Sequence, residues 1–327
     1  MPYFNRREFM YVSAIGIAGL SIGAMPAWSE NRGNKATIAL VKTGDRGQGV
    51  EKALRLLDFP SMKGKKVLVK PNFNTADPAP GSTHNDVLST LVREIQARKA
   101  SSIVVGDRCG PGDTHQIMGD KGVFDMGRDM GFEVLNFETL DESDWVLITP
   151  RGSHWSNGFL MARPLVESEY TVTTGCLKTH MFGGHFTMSL KLSVGAVHRN
   201  LMRELHSSPH MRKMIAEINL GYRPQLIVMD GVEVFTDGGP MTGEKKEANV
   251  MLAGTDRVAI DAVGLAVLKE AGSNQTIMGR KIFQQEQIKR AVEIGLGVTG
   301  PEQIEIRTPD HESRAYADKI HSILMEG

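Results

Sequence analysis

Cysteine is nearly absent from these 327 residues: Cys109 and Cys176 are the only two, and no Cys-x-x-Cys pair occurs. A four-iron cluster needs four thiolates, so one chain cannot hold such a cluster on cysteine alone. An oxidising compartment would permit a single disulfide, and sequence does not show whether the two thiols meet. Net charge is missing as well, with 38 Lys and Arg against 38 Asp and Glu. No overall field therefore draws the chain to nucleic acid or to an anionic membrane. Nor is there a basic stripe with interleaved aromatics, the footprint that nucleic-acid binding would leave; aromatics make up only 6% of residues. Internal repeats and low-complexity tracts are lacking too.

Long apolar runs are scarce. The uncharged stretch 11–24 has 14 residues, short of the roughly 20 that cross a hydrocarbon core of about 30 Å. It follows Arg6-Arg7-Glu8-Phe9-Met10 and leads into Pro26, Ala27 and Ser29, small residues suited to a cleavage zone near Glu30. Paired arginines, a Gly- and Ala-rich apolar run and a small-residue end read as a twin-arginine secretion signal over residues 1–30. The expectation is a periplasmic or otherwise exported protein that meets the twin-arginine export machinery and keeps no stable membrane span after cleavage. An uncleaved anchor is the alternative. Export of this kind moves folded chains, often with a cofactor already inserted, which raises the prospect of a bound cofactor.

What is present after residue 30 is ordinary globular sequence, 41% apolar and 23% charged overall. Residues 31–35 read as a polar linker and 36–327 as a single α/β domain. Strand-like runs at 36–41, 66–69, 102–106, 132–137, 170–174 and 226–229 alternate with helical patterns. Val87, Leu88, Leu91, Val92 and Ile95 mark one helix face, with Thr83 and Asp86 as a variant capping box. Ser208-Pro209 reads as a cap and first-turn proline, and 256–270 as a buried helix. Met188, Leu190, Leu192, Val194 and Ala196 alternate strictly, which predicts a strand there. The whole pattern predicts a mostly parallel open sheet covered by helices on both faces.

Several segments are familiar. Val67-Leu68-Val69-Lys70-Pro71-Asn72-Phe73, Gly81-Ser82-Thr83-His84, Val104-Val105-Gly106-Asp107, Leu177-Lys178-Thr179-His180, Ser189-Leu190-Lys191, Glu217-Ile218-Asn219, Ile227-Val228-Met229-Asp230-Gly231 and Gly254-Thr255-Asp256 stand in order along the chain. Together they resemble the signature of the domain-of-unknown-function 362 family. The resemblance implies an α/β domain and no agreed activity. Many relatives carry an added ferredoxin-like cysteine run, which this chain lacks.

In open parallel sheets, ligands sit beyond the carboxyl ends of the strands. Reading those ends brings Lys70 and Asn72 from one strand, Asp107, Arg108 and Cys109 from the next, Cys176, Lys178, His180 and His185 from a third, and Asp230 from a fourth. Lys70, Asn72, Arg108, Lys191 and Asp230 are the expected binding groups for a small anionic ligand, helped by backbone N–H groups before Thr114. His180, Lys178 and Asp107 are the expected catalytic groups, because imidazole suits proton transfer near neutral pH. Cys109, Cys176, His180 and His185 would make a Cys₂His₂ set for a divalent metal such as zinc, though their spacing fits no known finger. Against each stands a plainer reading: the basic groups pair with nearby acids, the cysteines are small core residues, and the histidines bond to backbone. His198 and His210 are further candidates, His210 sharing a helix face with Glu217.

Three functions follow as expectations. One is an enzyme acting on a small anion. Another is a non-enzymatic anion- or cofactor-binding or maturation protein, and a third is a dithiol redox protein. The enzyme requires His180 within hydrogen-bond reach of a cavity Lys, Asp or Cys, whereas a carrier needs only donors.

Overall fold

Apolar runs buried on both sides dominate the middle of the chain. The computed structural model, which describes residues 35–327, gathers them into one nine-stranded sheet. Its strands are β1 (Ala36–Lys42), β2 (Lys66–Lys70), β3 (Ser102–Asp107), β4 (Glu133–Asn136), β7 (Tyr170–His180), β8 (His185–Thr187), β9 (Leu226–Gly238), β10 (Gly243–Gly254) and β11 (Ile304–Arg307). Two more, β5 (Trp145–Ile148) and β6 (Phe159–Ala162), pair separately as an antiparallel ribbon. The order across the main sheet is β11-β1-β10-β9-β7-β2-β3-β4, with β8 folded back on β7. Pairs β1–β11, β2–β3, β2–β7, β3–β4 and β7–β9 are parallel; β1–β10, β9–β10 and β7–β8 are antiparallel. The sheet is mostly parallel, as expected, with an antiparallel step on one side.

Strand parity divides the core. Ile38 and Leu40 face one side with Ile227, Met229, Val250 and Leu252, under the helices Arg257–Glu270 and His311–Glu326. Ala39 and Val41 face the other with Val67, Val69, Val105 and Val228, under the helices Arg46–Arg55 and Asn85–Ala97. Helices therefore cover both faces. A third cluster, built on Phe159, Met161, Met214 and Ile218, extends the first layer over Leu68. Among the described residues no helix is long and apolar enough to cross a membrane. The secretion signal expected over residues 1–30 lies outside the described residues.

The structure corrects four local readings. Residues 188–196 are no strand: Ser189–Leu192 is a helical turn, continued by a 3-10 turn over Ser193–Ala196. Met188, Ser189, Leu190, Leu192 and Ala196 are all buried, so the segment is enclosed on several sides and its alternation carries no strand signal. Strand β7 runs on to His180, well past residue 174, because Lys178 and His180 are covered and not released to solvent. Thr83 does not cap the helix Asn85–Ala97. His84 does, its Nδ1 accepting from the Asp86 N–H at 3.1 Å. Thr83 instead closes a loop, its Oγ1 accepting from the Asn72 N–H at 2.8 Å. Finally, the helix after Pro209 begins at Met211 with His210 at its cap position.

Candidate functional site

The carboxyl ends of β2, β3 and β7 open into one cavity of about 650 Å³. Lys70, Asn72, Asp107, Arg108, Cys109, Lys178, His180 and Lys191 all line it. Eight of the residues singled out from sequence thus share one hollow, including the four on which the site depends: Lys70, Arg108, Lys178 and His180. The size suits a small-molecule ligand.

Two of the lysines are held. Lys70 Nζ donates to Asp107 Oδ1 at 2.7 Å and to the Pro71 carbonyl at 3.1 Å, both side chains fully buried. Asp107 Oδ2 accepts from the Phe73 N–H at 2.7 Å, which ties the pair to the start of the loop after β2. Burial and the nearby Arg108 pull the Lys70 ammonium down, while Asp107 opposes them. Lys178 Nζ donates to Asn72 Oδ1 at 2.9 Å, to the Pro240 carbonyl at 3.0 Å and to the Gly81 carbonyl. Neutral oxygens satisfy its three donors but supply no counter-charge, and burial pushes it down to about 8.

Lys191 differs from both. Its amine has no hydrogen-bond or ion-pair partner among the described residues, and the helical turn Ser189–Leu192 presents it to the cavity. Burial, with the charges of Lys178 and Arg108 behind it, pushes the ammonium down to about 7. The turn is anchored from beneath by Asp261 of the helix Arg257–Glu270. Its carboxylate accepts the Ser189 N–H at 2.7 Å and the Leu190 N–H at 3.0 Å.

His180 lines the cavity with its ring held toward the neutral form. Burial, together with the charges of Lys191 and Lys178, pushes its imidazolium down to about 2. Burial thus favours the neutral ring. Its Nδ1 accepts from the Gly184 N–H at 3.3 Å, which leaves the proton on Nε2. His180 is therefore a hydrogen-bond donor at the cavity wall. Gly184 allows this closeness: a Cβ there would stand 2.8 Å from His180 Nδ1 and 3.0 Å from Lys191 Cε.

The arginines are clamped by backbone. Arg108 donates to the carbonyls of Val197, Cys109 and Val194 at 3.1, 2.7 and 2.9 Å. Arg199, which sequence reading missed, donates to the carbonyls of Gly110 and Gly112 at 3.2 Å each, contacts Cys109 Sγ at 3.3 Å and pairs with Glu138. Asn74 and Thr187 were also missed. Asn74 Nδ2 and Thr187 Oγ1 are buried without a partner on cavity-lining residues. Asn74 stands two residues beyond Asn72 in the same loop, and Thr187 pairs with Lys178 across β7–β8. Only the first placement was legible in the sequence; nothing there pointed to Thr187 or Arg199.

Three expected members are elsewhere. Asp230 is bound to Arg46, whose Nε lies 2.7 Å from its Oδ2, and burial raises its carboxyl while Arg46 opposes that. Cys176 is buried under Ser82, its Sγ 3.5 Å from that carbonyl, and burial pushes the thiol up to about 12. His185 Nδ1 is 3.4 Å from Gln285 Oε1. The Cys₂His₂ set is thus not assembled, and among the described residues no three His, Cys, Asp or Glu side chains are grouped to hold a metal ion. Both thiols are free, so the dithiol pair is not closed. His198 packs edge-on against Trp145. His210 rests 4.5 Å from the ring of His154, which bonds to the buried Glu217. Neither lines the cavity.

Comparison with known proteins gives a family and a fold. The family described as "Domain of unknown function (DUF362)" matches residues 67–266. No curated protein matches the chain. Among solved structures, the lactate racemase apoprotein from Thermoanaerobacterium thermosaccharolyticum aligns over 86% of this chain and 86% of that one, at 13% identity and a TM-score of 0.42.

Proposed function

Because this chain belongs to the domain-of-unknown-function 362 family, whose description assigns no reaction, we propose its role from the cavity itself: it binds a small anionic substrate at the strand ends and acts on it as an enzyme, with Lys191 as the group that moves a proton. One observation carries this reading. Five cationic side chains line the cavity beside a single carboxylate, Asp107. Lys70 takes that carboxylate and Arg199 takes Glu138. Lys178, Lys191 and Arg108 keep no acid within ion-pair distance. Buried cations without counter-charge are costly, and an anion delivered by the solvent relieves the cost. An amine poised near neutrality then takes or gives a proton at pH 7.

The test is calorimetric titration of the full chain with acetate and with phosphate. Binding should weaken at least about tenfold in Lys191→Met, in line with a lost charged hydrogen bond, and stay unchanged in Lys289→Met on the exposed surface. Equal binding by wild type and Lys191→Met would remove the proposal.

A carrier without catalysis is the second reading. His180 favours it, since its one protein bond is to the Gly184 N–H and not to a cavity Lys, Asp or Cys. Anion binding without turnover of any bound compound would select it. We further propose that the protein works outside the cytoplasm, on the support of Arg6-Arg7 and the apolar run that follows. Replacing both arginines by lysine should leave the chain in the cytoplasmic fraction.

A further inference from the structure

We propose that Lys191 is a nucleophilic amine that forms a covalent imine with a carbonyl compound bearing a carboxylate, a 2-oxo acid or the aldehyde acid glyoxylate. This deepens the anion-binding reading above and rests on it.

The three cavity lysines are chemically unequal. Attack on a carbonyl needs a free lone pair on nitrogen. Lys70 is locked in an ion pair with Asp107, and Lys178 donates to three oxygens. Lys191 has no such partner, and burial beside two cations holds much of it neutral near pH 7. A lysine desolvated beside another cation is the recognised setting of imine-forming amines. The cavity lining also includes Leu192, Val194 and Met202, apolar groups that lower the polarity of the hollow Lys191 faces.

The rest of the cavity matches the other end of such a compound. Thr187 is 5% exposed, its Oγ1 is buried without a partner, and it lines the cavity, as does Asn74 with its unpartnered Nδ2. These are neutral donors for a carboxylate, backed by the charge of Lys178 and Arg108. His180 Nε2–H is a donor for the carbonyl oxygen. Its ring and the end of the Lys191 chain are neighbours across Gly184.

The step balances without a redox partner. The neutral amine adds to the carbonyl carbon, forming a C–N bond and opening the C=O π bond. One N–H proton moves to oxygen to give a carbinolamine. The C–O bond then breaks, and the second N–H proton leaves with that oxygen as water. The imine nitrogen takes one proton from solvent and becomes an iminium, an electron sink beside the carboxylate.

The experiment is reductive trapping of the full chain with glyoxylate or pyruvate and cyanoborohydride near pH 7.5, followed by peptide mapping. The expected result is one dominant adduct on Lys191, forming about tenfold or more faster than on exposed lysines, given their far smaller neutral fraction. Lys191→Arg should lose that adduct while still binding acetate. Adducts spread evenly over surface lysines, or a Lys191 left unmodified in a protein that binds acetate, would overturn the imine alone. Failure to bind acetate or phosphate at all would overturn the anion site beneath it.

Discussion

What touches each amine separates Lys70, Lys178 and Lys191, although the sequence presents them as three similar lysines. Strand ends were enough to place Lys70 and Lys178 at one edge, whereas Lys191 sits on a helical turn that the sequence pattern reads as a strand. Nothing in residue type told that Asp107 would take Lys70, that loop carbonyls would take Lys178, or that Lys191 would be left free. The same limit applies to His180, a residue type suited to proton transfer that burial among lysines keeps neutral. A stability test follows for Lys191. Its folded-state value lies near 7 and below its ordinary 10.5, so folding must work against a charge that the unfolded chain carries freely. That cost is full below pH 7 and fades as the pH rises toward 10.5. Replacing Lys191 by Met should therefore raise the melting temperature clearly at pH 6 and by much less at pH 10. Wild-type and variant melting curves that differ equally at both pH values would contradict the assignment.

At the level of elements, the regular parts of the fold were readable and the irregular ones were not. Strands β1, β2, β3 and β9 begin where their apolar runs begin, because each is buried on both faces between helical layers. The helix Arg257–Glu270 follows its cap Asp256, whose Oδ1 accepts the Val258 and Ala259 N–H groups at 2.9 and 2.8 Å. The turn that carries Lys191 escaped because its shape comes from distant partners. Asp261 holds its first N–H groups, and Gly195 lets it approach the Lys70–Asp107 pair. A Cβ at residue 195 would meet Asp107 Oδ1 at 2.5 Å and Lys70 Nζ at 2.9 Å. Gly195→Ala must therefore displace a buried ion pair or lift the turn. The expected cost is about 1–3 kcal/mol, the range for overpacking a filled interior, with weaker acetate binding. Urea denaturation and calorimetry on the same variant check both; unchanged stability would show that the turn is not wedged there. Conversely, Asp107→Ala leaves Lys70 buried and unpaired, and about 3–5 kcal/mol should be lost.

Across the whole molecule charge sums to zero, so the positive character of the cavity is local and is sustained by the fold against its own preference. An anion supplies what the chain withholds. That links ligand, proton and stability in a way that one ligand series can read. Acetate is the suitable probe, since it stays fully ionised from pH 6 to 9 while phosphate changes charge near neutrality. At pH 6 Lys191 is already protonated, and acetate at a hundred times its dissociation constant should stabilise the fold by about 2.7 kcal/mol. At pH 9 the free site has lost that proton, and Lys178, held near 8, is losing its own. Binding must then recruit protons as well as the anion, which weakens it at least about tenfold for each pH unit above 7. The same acetate concentration should stabilise by well under 1 kcal/mol there. Asp261, raised to about 7 by burial, lies beneath the turn and does not line the cavity, so its titration enters the curves with and without acetate. Thermal unfolding in low chloride, with and without acetate at the two pH values, measures the effect. An acetate-induced shift of the same size at pH 6 and pH 9 would mean that the anion is held by groups other than these lysines.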